Sequence, residues 1–407
     1  MNNRLAMAAS VLVRMGSALL AFVLIARGLG PVAYGLVATV FAYATLVSLV
    51  TDVGFTSKML RDISAEPQRG GVIFNDCLSL KVLLTLAATI CGGVVIWVMP
   101  KPAGTGLPIA LLAGAVLIGA IGDLALTAYR ATGRYAAEAM LTVATSIVHL
   151  AVIGWVAVSS GELFWIGVAF LVSRTIYACL AVKGAERLFV DLKLRPASLV
   201  SLWTNLRQSW AWAIDSGLSY LNSQIDGLLI VSFLGLQAAG VYQAGARFAQ
   251  AALAIVMVLT SIHIPRITAA AARPGHESRA QWSILTEFAL LGGVLAVMLW
   301  LGGPLITQYL LGTAYLETDQ LWMGFGAFVF IRYVSAGMGV QLVALNRPLV
   351  RVVGQVIGLL IVILPFLILG SGLRLHMVPW IMSISSAFSA AFYMAMIVGR
   401  SSAKSGS

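Results

Sequence analysis

A chain of 407 residues in which 60% are hydrophobic and only 10% are charged, with a mean hydropathy of +0.95, cannot be a water-soluble globule, because soluble domains carry about a quarter charged residues. The formal net charge of +11 raises nucleic acid as a partner, but the cations fall where membrane topology puts them, so no nucleic acid is expected. Cys77, Cys91 and Cys179 and the four scattered histidines make neither a disulfide nor a metal-ligand spacing, and no metal or cofactor is expected.

A hydrophobic run of about 20 residues crosses a bilayer as a helix. In chain order twelve are expected, roughly at 5–27, 34–54, 76–99, 107–128, 137–158, 163–182, 210–233, 240–262, 283–303, 320–344, 349–369 and 377–398. The strict alternation of barrel strands is absent, so the fold class is an all-α polytopic membrane protein. The first run has no A-x-A-like cleavage site and is followed at once by another, which reads as a retained helix. Alternate loops hold eighteen cations on one side and three on the other (Arg27, Lys101 and Arg374), which predicts that both termini are cytoplasmic.

The segment 183–207 is basic and contains Pro196. It is expected to be a cytoplasmic linker between an N-terminal six-helix bundle at 1–182 and a C-terminal bundle at 208–407. The halves echo each other. "LGPVAYG" (29–35) follows the first span and "LGLQAAG" (234–240) the seventh, at an offset of 205, while "ATGRY" (131–135) and "ALNRP" (344–348) occupy equivalent turns. Duplicated units of this kind commonly enclose a transport site. The glycines of "GLGPVAYG" lack dinucleotide-binding spacing and context, and read as a tight turn with Pro31 opening the next helix.

Five cations lie inside spans: Arg14, Lys81, Arg174, Arg247 and Arg332. Lys81 stands near a cytoplasmic end, where it is expected to snorkel. Each of the other four would cost about 2.5–3.5 kcal/mol facing lipid, or roughly 10–14 kcal/mol together. They must therefore pair with acids or line a hydrated cavity. Polar residues share their faces: Ser10, Arg14 and Ser17 in the first span; Asp215, Ser219, Asn222, Ser223 and Asp226 in the seventh; Gln243, Arg247 and Gln250 in the eighth. Four acids lie within spans: Asp123, Asp215, Asp226 and Glu287. An Asp226–Arg247 pair is one reading and a cavity position for both is the other. No acid is level with Arg14, Arg174 or Arg332 by counting from span ends, which favours the cavity for Arg14 and Arg332. For Arg174 a structural and a functional role stand equal.

A cationic, hydrated cavity implies an anionic passenger, and guanidinium is the side chain suited to bidentate phosphate binding. Ser17, Asn222, Gln243 and Gln250 add groups able to bind the hydroxyls of a sugar. The outer loops are short, and no Ser/His/Asp cluster, HExxH or phosphate loop occurs, so an enzyme is not expected.

"LIARGLGPVAYGLVATVFAYATLVSLVTDVGFTSKMLRDIS" (24–64) resembles the start of Wzx-type polysaccharide-biosynthesis flippases, in the superfamily that also holds lipid II flippases and multidrug and toxin extruders. Arg27, Leu29, Gly30, Pro31, Tyr34, Gly35, Asp52, Gly54 and Arg61 carry the likeness. "QIDGLLIVSFLGLQAAGVYQAGARFAQ" (224–250) and "LLGTAYLET" (310–318) extend it. The resemblance implies two six-helix bundles forming a V around a central cavity, in a bacterial inner membrane. It implies passage of an undecaprenyl-diphosphate-linked oligosaccharide, such as an O-antigen or exopolysaccharide repeat unit, to the periplasmic leaflet. A polysaccharide polymerase and chain-length proteins would be the partners. The first, second, seventh and eighth helices would line the cavity, which brings in Arg14, Asp226 and Arg247. The two extra C-terminal helices of lipid II flippases are missing, which argues against lipid II. The rival readings are a multidrug extruder coupled to protons or sodium, favoured by Asp226, and a membrane polymerase or ligase of lipid-linked glycans.

Overall fold

The computed structural model describes residues 3–98, 103–189, 199–271, 277–344 and 348–405, with side chains described at 10–98, 103–189, 217–218, 220–256, 259–260, 263, 282–342 and 350–397. The side chains of Asp215 and Ser219, the centre of the expected linker and the "ALNRP" turn lie outside these. Among the described residues all regular elements are helical. They are α1 (Asn3–Asp52), α2 (Phe55–Ala65), α3 (Gly70–Val98), α4 (Gly106–Ala131), α5 (Tyr135–Ser159) and α6 (Leu163–Glu186). They continue with α7 (Leu199–Ala271), α8 (Glu277–Leu305), α9 (Trp322–Ala344), α10 (Pro348–Leu369) and α11 (Val378–Ser405).

Among the described residues ten helical stretches are long and apolar enough to cross a membrane. Two of them, Ser10–Asp52 and Tyr220–Val256, exceed what a bilayer requires. Each breaks at one glycine: Gly30 (φ 75°, ψ 171°) in α1 and Gly235 (φ 88°, ψ 177°) in α7. That backbone region is open essentially to glycine alone. The chain folds back at both points. Phe22 and Phe41 would stand about 28 Å apart along an unbroken helix, yet their ring centroids are 5.5 Å apart. Likewise the Tyr242 hydroxyl, sixteen residues beyond Asp226, reaches its carboxylate at 2.7 Å. Counting each broken stretch as two spans turns ten into the expected twelve. The glycines lie 205 residues apart, so the echo in the sequence is a shared hairpin turn.

The chain forms two compact units, Met1–Leu221 and Asn222–Ser407. Their boundary falls within α7, so its segment 199–221 groups with the first unit. In unit 1, α2 is amphipathic and buries Phe55, Met59 and Ile63 against Phe74, Leu124 and Tyr129. The corner before it is tight: Val53 (φ 45°) and Gly54 (φ 76°) are both left-handed, which strains a β-branched residue. Lys81 holds this corner. It is 1% exposed, and its Nζ donates to the Ser48 carbonyl (3.1 Å), Thr51 Oγ1 (3.3 Å) and Asp52 Oδ1 (3.3 Å). The expected snorkelling is thus replaced by an internal ion pair, because three acceptors at the α1 end lie within its reach.

In unit 2 the core is aromatic, with Phe288, Trp322, Phe325, Tyr333 and Phe366 fully buried. The Trp322 indole satisfies its N–H on Thr307 Oγ1 at 2.9 Å. α10 and α11 meet along a seam of small residues, where Ser385 and Ser389 donate to the carbonyls of Gly358 (2.7 Å) and Gly354 (3.2 Å). Small residues let backbones approach closely where no hydrophobic force separates helix from lipid.

Candidate functional site

The Arg14 side chain lies in unit 1 beside α4 and α6, and the local sequence of α4 explains the cluster around it. In "GAIGD" (119–123), Gly119 and Gly122 leave that face of α4 without side chains. A Cβ at Gly122 would sit 2.5 Å from the Tyr177 ring, and one at Gly119 would sit 3.3 Å from Arg174 Cδ. These bare positions admit Arg174 and Tyr177, which share a face of α6 at i, i+3. Asp123 then meets two groups, with a third close by. Tyr177 Oη donates to Asp123 Oδ1 at 2.7 Å, and Arg14 Nη1 approaches the same oxygen at 3.4 Å. The Arg174 guanidinium carbon stands 6.0 Å from the Tyr177 ring centroid. Among the described residues Arg174 makes no ion pair.

The expectation that no acid stands level with Arg14 is therefore corrected. The guanidinium reaches several ångströms from its backbone, and helix-end counting resolves no better than a turn. The pair is nevertheless open: both side chains are 53% exposed. A single long contact at that exposure contributes about 0–1 kcal/mol. Two cations gather round one carboxylate, which leaves positive charge in surplus.

The neighbouring polar residues are spent on structure. Ser17 is buried and donates to the Arg14 carbonyl at 3.0 Å, within its own helix. Ser173 Oγ donates to the Phe170 carbonyl (3.0 Å) and so accepts from His149 Nδ1–H (2.8 Å). His149 is a packed histidine, as expected of a lone one.

Unit 2 contains a cavity of about 100 Å³. Asn222, Asp226, Gln250 and Arg332 line it, together with Phe325 and the α11 hydroxyls of Ser385 and Ser386. Asp226 is 5% exposed and accepts from Tyr242 Oη (2.7 Å) and the Gly227 amide (2.8 Å). Arg247 Nη1 donates to Gln250 Oε1 at 3.2 Å. Asp226 thus accepts from other residues and lines the cavity, while Arg247 donates to Gln250, a lining residue, and is not itself part of the lining. Gln243 is buried against Gly227, where any Cβ would overlap its amide, so it packs the two arms of the α7 hairpin. Arg332 makes no ion pair among the described residues.

Four of the eight expected site residues (Asn222, Asp226, Gln250 and Arg332) therefore share one cavity, with Arg247 bonded to its rim. Arg14 and Ser17 belong to the other unit. Asp123, Tyr177, Ser385 and Ser386 were not among the expected site residues. The signal for the first two was the Gly-x-x-Gly-Asp spacing of 119–123 combined with Arg174 and Tyr177 on one helical face.

The sequence profile of the polysaccharide biosynthesis protein family matches residues 24–320, most of the chain. The chain belongs to this family. Curated protein sequences give no match to this polysaccharide biosynthesis protein. Among solved structures it is similar to an inward-facing multidrug resistance MATE family transporter of the MOP superfamily, with a TM-score of 0.78 and 15% identity over 98% of both chains. The lipid II flippase MurJ in an inward closed conformation gives a TM-score of 0.76 and 13% identity over 96% of this chain and 87% of that one. A MOP superfamily transporter from Pyrococcus furiosus, described as having a binding pocket of reverse polarity, gives 0.68 and 16% over 99% and 97%. These likenesses establish the fold. The chain is a multi-pass membrane protein that shares the fold of these transporter and flippase structures.

Proposed function

We propose that this polysaccharide biosynthesis protein is a flippase that moves an undecaprenyl-diphosphate-linked oligosaccharide from the cytoplasmic to the periplasmic leaflet of a bacterial inner membrane by alternating access. The observation that carries this reading is the half-exposed Arg14, held to Asp123 by one 3.4 Å contact with Arg174 close by. A guanidinium so weakly engaged in an apolar helix needs water or an anion beside it. A diphosphate supplies several acceptor oxygens, which an arginine can bind in pairs. In the second unit Arg332 and Arg247 add positive charge, and Asn222, Gln250 and Ser386 add groups complementary to sugar hydroxyls. Stripping such a headgroup of its hydration in hydrocarbon would be prohibitively costly, and a polar cationic path lowers that cost.

On this reading the protein is no enzyme, both termini are cytoplasmic, and a polymerase and chain-length proteins act after it. The test is complementation of a deletion strain. Arg14→Ala and Arg247→Ala should each abolish surface polysaccharide at normal protein abundance, and normal export by both variants would refute the assignment. A second reading, multidrug extrusion, draws on the buried carboxylate of Asp226 in the unit 2 cavity. Drug efflux from cells expressing the protein, unaltered by Arg14→Ala, would favour it.

A further inference from the structure

Asp123 is poorly explained as a structural partner of Arg14, since a pair built for stability would close at shorter range and away from solvent. We propose that the Asp123 carboxylate is an internal stand-in for the passenger's phosphate, occupying Arg14 when the site is empty and changing to Arg174 when the phosphate arrives. The proposal rests on the flippase reading and names the group that makes phosphate binding at Arg14 reversible.

Three observations carry it. First, the Arg14–Asp123 contact is a single N···O approach of 3.4 Å with both side chains 53% exposed, so a competing anion can reach the guanidinium. Second, Tyr177 Oη anchors the same Asp123 oxygen at 2.7 Å, so the carboxylate stays in place once Arg14 leaves it. Third, a second guanidinium stands close by. Arg174 lies 6.0 Å from the Tyr177 ring centroid, against the bare face at Gly119, and makes no ion pair among the described residues. Charge is conserved throughout: one carboxylate exchanges one cation for another while the incoming phosphate takes the first.

The consequence is competition. A transporter that holds its passenger too tightly cannot release it, and a carboxylate that returns to Arg14 displaces the phosphate. Loss of the competitor should tighten binding by on the order of fivefold, the value of one exposed ion pair.

Binding of farnesyl diphosphate, a sugar-free probe, to the full-length protein in detergent tests this. Asp123→Asn keeps the shape and can still accept from Tyr177, so it should bind the probe about fivefold more tightly while slowing transport of the lipid-linked substrate. Arg174→Gln should weaken probe binding in the native background and have no effect beside Asp123→Asn, because Arg174 acts through Asp123. Weaker binding by Asp123→Asn would overturn the proposal, assigning Asp123 to the positioning of Arg14. Equal losses from Arg174→Gln in both backgrounds would also overturn it. Unchanged binding by Arg14→Ala would instead remove the phosphate reading of Arg14 itself, and with it the flippase argument.

Discussion

Substituting alanine at Gly30 and at Gly235 tests whether the two units share one hairpin design. A Cβ built at either position meets nothing within 4 Å, so no clash contributes. The whole penalty comes from backbone angles, φ 75°, ψ 171° and φ 88°, ψ 177°, which lie where non-glycine residues cost about 1–3 kcal/mol. Both variants should therefore lose about 1–3 kcal/mol, and by similar amounts, because the two conformations nearly coincide. Gly16→Ala is the internal control. That glycine sits in regular helix with open space around it, so alanine there should stabilise by about 0.5–1 kcal/mol. Thermal or denaturant unfolding of purified protein in detergent measures all three. Unfolding midpoints for Gly30→Ala and Gly235→Ala that match the parent would refute the reasoning, since the chain could then turn without a glycine-only conformation.

Removing Asp52 from buried Lys81 should cost about 3 kcal/mol, since it strands a desolvated charge. Lys81→Met should cost less, and Asp52→Ala combined with Lys81→Met should recover part of the loss in the same unfolding assay. Gly122→Ala should push the Tyr177 ring aside and cost about 1–3 kcal/mol, with a fall in transport. Gly114→Ala, whose Cβ meets only Leu171 at an ordinary 3.7 Å, should leave both unchanged. Arg332→Gln should reduce transport at least tenfold, and Arg332→Lys less so, as a cation in the unit 2 cavity would require. Equal rates for the two variants and the parent would show that its charge has no part in transport.

The sequence shows the fold because hydrocarbon leaves few choices. Apolar runs of fixed length must be helices, and the paired Leu-Gly motifs mark two of the points where the chain reverses with glycine geometry. The unit boundary was less visible, since it falls inside α7 between Leu221 and Asn222, where the composition carries no break. Site residues divided by how far their contacts lie in the sequence. Asn222, Asp226, Gln250 and Arg332 could be seen as polar groups on apolar helices, and they share one cavity. Ser17 and Gln243 carried the same signal, yet one bonds its own helix and the other packs a hairpin. Polarity alone does not tell which side of a helix meets backbone. Asp123 was placed toward one membrane face by counting, whereas the length of the Arg14 side chain and the two glycines of α4 decide the encounter.

The most direct measurement is flipping of a purified undecaprenyl-diphosphate-linked oligosaccharide in proteoliposomes, read by its accessibility to a reagent outside the vesicle. Parent protein should expose the inner-leaflet lipid, Arg14→Lys should do so slowly, and Arg14→Ala should be indistinguishable from empty vesicles. Flipping by Arg14→Ala at the parent rate would contradict the account, for the passenger would then cross without the guanidinium that its phosphates are held to need.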